Sequence, residues 1–369
     1  MASPSVEKQA GGGDQLNPAG IAIIQTAFPG DVILTGGLVR SIRKSWPELP
    51  LAIIVRPDCL DLASMMDRDI TVITYDKRGS EKGTAGLHHV AGQLSDGPWD
   101  MALIPHRSFR SALLARRARF KFRIGFNVGI QQFIHTDVVT YRRGIHEIER
   151  NYDLLSLLNG KVNRTLDDGT HQYSSALQAP LFHLTDEGFG EAESIGAIPP
   201  FAALAPGSVW PTKRWPELHW VTLAEWLAEA GLSIVWTGGP DEQDLCQQLT
   251  ATSGTGVVAA GKLSWKGTAA LLKKAQVLIA NDSAQVHLAG AVGCPVVALF
   301  GPTVPAFGFG PLGKGSRSIG ITLGCRPCRL HGSRNCPEGH FRCMRDLKPA
   351  TVLRSAVNTI RETSPVAAI

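Results

Sequence analysis

From residue 21 onward the chain alternates short runs of consecutive apolar residues with longer stretches whose apolar positions recur at helical spacing. The first half carries IAIIQT, LAIIVR, ITVITY, DMALIP and FRIGF; the second carries FAALAP, SIVWTG, VVAAG, QVLIAN and PVVALFG. Runs this short and this uniformly apolar read as strands covered on both faces. The amphipathic stretches between them, such as PELHWVTLAEWLAEAG, read as crossover helices. The pattern predicts βαβ units in parallel sheets, and two such sets predict two doubly wound α/β domains. Between Ala179 and Pro200 the alternation breaks, where QAP, a polar segment and IPP intervene. This sets the domains at residues 21–182 and 183–348. A last helix, from Pro349 to about Arg361 within 349–369, opens on proline at a first-turn position.

Composition agrees with this division. A chain of 369 residues exceeds what one core usually organises. With 44% hydrophobic and 19% charged residues it has the make-up of a water-soluble protein. No apolar run is long enough to span a bilayer, and the N-terminus lacks a basic segment followed by an apolar one, so a cytoplasmic protein is expected. Residues 1–20 are polar and Gly-rich, with too little apolar surface to offset ordering entropy, and are expected to be mobile. The net charge of +5 is unevenly spread. Seven Arg or Lys and no acid fall between Arg107 and Arg123, either a solvated helix face or a surface that seeks an anion. No nucleic-acid motif accompanies it.

The chemistry concentrates between Ala205 and Thr303, in APGSVWPTKRWP, WTGGPDE and ANDSAQVHLAGAVGCPVVALFGPT. These junctions place Gly, Ser, Lys and Asp at strand ends, where an open α/β sheet binds ligands. The glycines let backbone N–H groups approach an anion, and the following helices aim their positive ends at the same crevice. That combination describes a phosphate site. Asp282 or Ser283 before a helix also serves as an N-cap, and a helical His287 is as well suited to packing as to binding. Asp31, in TAFPGD at the entrance of VILTGGLVRSIRK, suits a helix N-terminus, which also favours its ionised, base-competent form.

These segments, together with IIQTAFPGDVILTGGLVRSIRKSWP, PHRSFRSALLARRARFKFRIGF, HEIERNYDLL and CRPCRLHGSRNCPEGHFRCM, resemble the ADP-heptose:lipopolysaccharide heptosyltransferases of glycosyltransferase family 9, in particular the branch that adds the second heptose. The resemblance runs over nearly the whole chain. It implies a GT-B architecture, two doubly wound Rossmann-like domains facing an interdomain cleft, with the C-terminal helix crossing back to pack on the N-terminal domain.

The resemblance implies an acceptor-binding N-terminal domain and a donor-binding C-terminal one, with Asp31 as base and Lys213 offsetting the charge of the departing diphosphate. Donor contacts fall on Thr26, Ser208, Gly238, Gly239, Asp282, Ser283, His287, Gly301 and Thr303, with adenine near Lys262 and Leu263. The family often carries serine where this chain has Ala27, and Thr26 is the nearby hydroxyl. Arg40, Arg43, Arg110 and Arg117 are acceptor candidates. The implied partners are ADP-heptose and Kdo-lipid A or heptosyl-Kdo-lipid A, met at the cytoplasmic face of the inner membrane through peripheral contact. Inversion by direct displacement needs no catalytic cofactor. A transferase of the first heptose or another GT-B sugar transferase is the nearest alternative, and a noncatalytic metal or redox anion-binding module is a remote one.

Cys325, Cys328, Cys336 and Cys343 form a C-x2-C-x7-C-x6-C spacing. In a reducing compartment this suggests a structural zinc site, although the second half lacks the usual close pair. A compact loop of packed thiols is the alternative.

Overall fold

The computed structural model describes residues 16–158 and 179–363. The N-terminal part runs β1 (Ile21–Ile24), α1 (Pro29–Ser45), β2 (Leu51–Val55), α2 (Leu60–Ser64), β3 (Thr71–Thr74), α3 (Gly83–Ser95), β4 (Met101–Leu103), α4 (Phe109–Arg117), β5 (Phe122–Phe126), β6 (Asp137–Val139) and α5 (Glu147–Asp153). The C-terminal part runs α6 (Asp186–Ser194), β7 (Phe201–Ala205), α7 (Glu217–Glu229), β8 (Ser233–Trp236), α8 (Gln243–Ser253), β9 (Val257–Val258), α9 (Trp265–Lys274), β10 (Val277–Asn281), α10 (Ala284–Val292), β11 (Val296–Leu299), β12 (Arg317–Ile319), α11 (Arg342–Arg345) and α12 (Pro349–Thr363).

The strands form two six-stranded sheets, ordered β3-β2-β1-β4-β5-β6 and β12-β11-β10-β7-β8-β9. Every pairing is parallel. Counted within each half, both sheets have the order 3-2-1-4-5-6, so each has a switch point between its first and fourth strands. Parallel strands must be covered on both faces, and the central ones are: every residue of β1, β2, β7 and β10 is buried.

Helix α10, AQVHLAGAV, is largely apolar, and its residues from Gln285 to Val292 are all buried. It packs against β10 and β11 of its own sheet and against α1 of the other half. A single apolar cluster therefore continues from Ile23, Val32 and Leu38 through Phe182 to Val286 and Leu288. Gly30 permits the approach: a side chain there would meet His287 Cδ2 at 3.4 Å and the Ala284 backbone at 3.7 Å.

Two expectations are corrected. The C-terminal helix α12 does not return to the N-terminal domain; it packs on α7, β10, β11 and β12, with Val352 and Ala356 in the C-terminal core around Trp215, Trp220 and Trp236. Its apolar stripe is satisfied there, and Thr359 Oγ1 donates to Gly315 O at 3.0 Å. Order also begins before residue 21: the Leu16 N–H bonds to Leu157 O at 3.2 Å, and the Ala19 N–H to Asp100 Oδ1 at 2.9 Å. Residues 1–15 of the expected tail lie outside the described residues.

Candidate active site

The loop from β1 into α1 places Asp31 in the helix's first turn, after Pro29. Phe28 at the N-cap offers no side-chain acceptor, and the Asp31 carboxylate takes the backbone N–H of Phe28 and its own. These bonds fix the carboxylate but do not dominate its titration. Burial, and next the nearby Glu147 carboxylate, push its pKa up from the ordinary 3.8 to about 6. Glu147 is itself raised by burial and pairs with Arg150. The Arg150 and Arg107 guanidinium groups each lie 4.6 Å from the Tyr141 ring centroid.

Across the cleft, the loop after β7 turns through Pro211–Lys213 and presents Lys213 Nζ to Asp282 Oδ2 at 2.6 Å. The same oxygen accepts from Thr303 Oγ1 at 2.7 Å. Lys213 is thus held as a positioned cation, with both members of the pair largely buried. The loop is pinned by Asn281, fully buried at the end of β10. Its Oδ1 accepts from Trp215 N at 3.1 Å, and its Nδ2 donates to Pro206 O at 2.6 Å. Ser283 occupies the N-cap of α10, yet its side chain makes no capping bond. The N–H groups of that first turn lie beside a cavity of about 570 Å³ that opens between Asp31 and Lys213. His287 also lines it, neutral: burial first, then His146, bring its pKa down to about 3.

Of the expected site residues, Asp31, Ser208, Lys213, Gly239, Asp282, Ser283, His287 and Thr303 line this one cavity. Others serve elsewhere. The Thr26 hydroxyl is taken by Lys77 Nζ at 3.0 Å and Ser111 Oγ at 3.1 Å, away from the cavity. Gly301 is small because Met344 Sδ would lie 2.8 Å from a side chain there. Gly238 leaves room for Glu242, whose carboxylate accepts the Gly239 N–H at 2.9 Å. Lys262 and Leu263 stand outside the lining, Leu263 against the apolar core. Among the arginines, Arg110 reaches the strand-end loops, donating to Lys77 O at 2.8 Å. Arg43 is a structural clamp on Asp67, Pro47 O and Leu49 O, Arg117 bonds His88 at the far end of α4, and Arg40 stands exposed on the outer part of α1.

Sequence reasoning missed several members. Glu242 and Trp265 line the cavity, and burial raises the Glu242 pKa. Lys77 ties β3 to the Asp31 loop, donating to Thr26 O at 2.7 Å. None has a periodic signal; the WTGGPDE turn, where an acid follows two glycines, was the nearest clue to Glu242.

The late cysteine segment braces the loop that carries Lys213. Thr212 and Ser333 exchange backbone and hydroxyl bonds, at 2.8 Å from Ser333 N to Thr212 Oγ1, and Arg326 caps Phe300 O and Thr303 O. All four sulfurs are free thiols, with Cys328 Sγ 3.1 Å from Cys325 O and Cys325 Sγ 3.9 Å from His340 Nε2. Among the described residues no group of three or more His, Cys, Asp or Glu side chains is arranged to hold a metal ion.

The profile described as glycosyltransferase family 9 (heptosyltransferase) matches residues 87–338. Lipopolysaccharide heptosyltransferase 2 of Escherichia coli K12 is 24% identical over 346 residues, which span 90% of this chain and 96% of that protein. The crystal structure of a family 9 glycosyl transferase from Veillonella parvula superposes with a TM-score of 0.78 at 22% identity, covering 93% of this chain and 97% of that one. A structure of the E. coli heptosyltransferase WaaC with ADP-2-deoxy-2-fluoro heptose has a TM-score of 0.65 at 18% identity, covering 90% and 98%. The paired parallel sheets are the GT-B architecture of these structures.

Proposed function

The chain belongs to glycosyltransferase family 9, and from the geometry of its cleft we propose that it moves heptose from ADP-L-glycero-D-manno-heptose to the inner core of lipopolysaccharide, as the second heptose. The observation that carries this reading is the single cavity shared by Asp31 on one domain and the Lys213–Asp282–Thr303 cluster on the other. A carboxylate titrating at about 6 is ionised at neutral pH yet basic enough to accept the proton of an attacking sugar hydroxyl. The hydroxyl attacks the anomeric carbon from the Asp31 side as the bond to ADP breaks on the other, so the configuration inverts.

The leaving diphosphate gathers charge as it departs. Lys213 Nζ and the uncapped N–H groups at the start of α10 stabilise that charge. The Thr303 hydroxyl and Asp282 hold Lys213 in place, and Ser208, Gly239 and Glu242 shape the rest of the donor cavity. A cation supplied by the chain takes the part a divalent ion plays elsewhere. Enzyme freed of divalent ions by chelation should therefore keep its single-turnover rate; a strict need for magnesium would overturn this account. The acceptor is Kdo-lipid A bearing one heptose, engaged through Arg110 and its neighbours at the cytoplasmic face of the inner membrane.

The deciding experiment measures ADP release from ADP-heptose with acceptors bearing zero, one or two heptoses. Release only with the singly heptosylated acceptor supports second-heptose transfer. Release only with the unheptosylated one makes the enzyme a first-heptose transferase, and release with none assigns another donor or acceptor.

A further inference from the structure

Ile130 and Phe133 face solvent at 69% and 84% exposure, on a 3-10 turn (Ile130–Ile134) between β5 and β6. The turn is anchored from within. Gln131, between them, is buried and its Nε2 donates to Val128 O at 2.6 Å, while Arg123 Nε donates to Ile134 O at 3.0 Å. Two large apolar side chains are thus held outward by a fixed backbone, an arrangement that the protein's own core does not need.

The surroundings are basic. Helix α4 packs on this turn, and Arg116, Arg117, Arg119 and Lys121 at and beyond its C-terminus are exposed. Residues 107–143 hold nine Arg or Lys and one acid, Asp137. Arg119 even occupies a left-handed conformation, φ 59°, just past the helix end, where glycine is usual. Phe109 and Val138 add further exposed apolar surface, at 47% and 46%.

We propose that the turn carrying Ile130 and Phe133, with the arginines of α4, docks the enzyme on an anionic lipid bilayer. The two apolar tips enter the headgroup boundary and the cations meet the acidic headgroups. Charge decides among partners. A second copy would bring the same cations together, and a nucleic acid would use the arginines and leave Ile130 and Phe133 in water. A bilayer satisfies both halves of the patch. Helix α4 begins at the carboxyl end of β4, the sheet edge that carries the Asp31 loop, and runs to the docking arginines at the opposite edge, beside the start of β5. A lipid-borne acceptor gives this docking its purpose, and to that extent the inference rests on the proposed function. Vesicle binding itself needs neither sugar nor donor, so the two can fail separately.

The test is co-sedimentation of the full chain with vesicles of phosphatidylglycerol and phosphatidylethanolamine, compared with neutral phosphatidylcholine vesicles, over a range of salt. Binding is expected to the acidic vesicles and to weaken with salt. Phe133→Asp should reduce it about tenfold or more, and Phe133→Trp should retain it. Arg116→Gln and Arg119→Gln should each cost about fivefold. Thermal unfolding identifies any variant that does not fold, in which case Ile130→Ser and the arginine variants decide. Equal binding of wild type and Phe133→Asp, or binding indifferent to lipid charge, overturns the proposal. So does a wild-type dimer that Phe133→Asp dissociates without vesicles, which would assign the patch to a second copy. RNA binding that needs Arg116 but not Phe133, without vesicle binding, would assign it to nucleic acid.

Discussion

At the scale of single residues, Asp31 couples reactivity to instability. Its carboxyl titrates at about 6 in the fold against the ordinary 3.8. Between those values the folded chain holds a proton that the unfolded chain has lost, so its contribution to stability falls as pH rises through that window. The full difference amounts to about 3 kcal/mol. Asp31→Asn should therefore raise the melting temperature at pH 8, with the gain fading below about pH 4; an unchanged or lower melting temperature at pH 8 would deny the strain. The same variant should lose about 10²- to 10⁴-fold in turnover. In the wild type, turnover should rise with pH through about 6. Glu147→Gln removes a like charge and leaves Arg150 uncompensated, so the acid limb should move to lower pH. Lys213→Ala should lower turnover about 10²- to 10³-fold and weaken ADP binding, with Lys213→Arg restoring only part. Isothermal titration with ADP separates the two effects, and normal binding with normal turnover would remove Lys213 from the site.

At the scale of elements, what the sequence disclosed follows from how much each segment is buried. LAIIV and FAALA appear in the structure as strands buried at every residue, because a run covered on both faces must be apolar throughout. The pattern does not announce β6 and β12, the three-residue edge strands DVV and RSI, since an edge has one neighbour and carries polar residues. Helix α7 starts at Glu217, just after the Pro216 that opens its amphipathic stretch, and the Trp215 N–H before it is committed to Asn281. That bond shows why parts of the site stayed illegible. NDS reads locally as a cap and a phosphate turn, whereas Asn281 reaches back across the sheet to Pro206 and Gly207. Thr26 and Arg43 misled for the same reason: their partners Lys77 and Asp67 lie on other elements. Asn281→Leu should cost about 2 to 4 kcal/mol in chemical unfolding, since it strands buried N–H and C=O groups. It should raise the donor KM more than the acceptor KM, because the loop it releases carries Lys213. A folded variant with an unaltered donor KM would show that the loop holds its shape without Asn281.

At the scale of the whole molecule, the proposed chemistry requires Asp31 on one domain to face Lys213 on the other, and two kinds of tie hold them there. On one side α1 and α10 share an apolar cluster. On the other, the segment after β11 reaches across by hydrogen bonds: Glu147 N–H to Gly308 O at 2.9 Å, and His146 Nε2 with Gly310 O at 3.1 Å. His146 Nδ1 accepts from Ile148 N, so the proton sits on Nε2 and the second bond has one direction, ring to carbonyl. This tie holds α5, and with it the Glu147 that helps set the Asp31 titration. Its narrowest point is Gly308, at φ 102°, where a side chain would lie 2.6 Å from Ile145 O and 3.2 Å from Glu147 N. Both obstacles are backbone and cannot swing aside. Gly308→Ala should cost at least about 1 to 2 kcal/mol in its backbone conformation alone. Because it loosens the approach of the two domains and not one substrate's contacts, kcat should fall while the KM values for donor and acceptor rise together. Gly92→Ala supplies the control, being within α3 with open space around it, and should be neutral or slightly stabilising. Steady-state kinetics with both substrates varied would decide the matter: a Gly308→Ala enzyme with wild-type constants would mean that the α1–α10 core alone keeps Asp31 opposite Lys213.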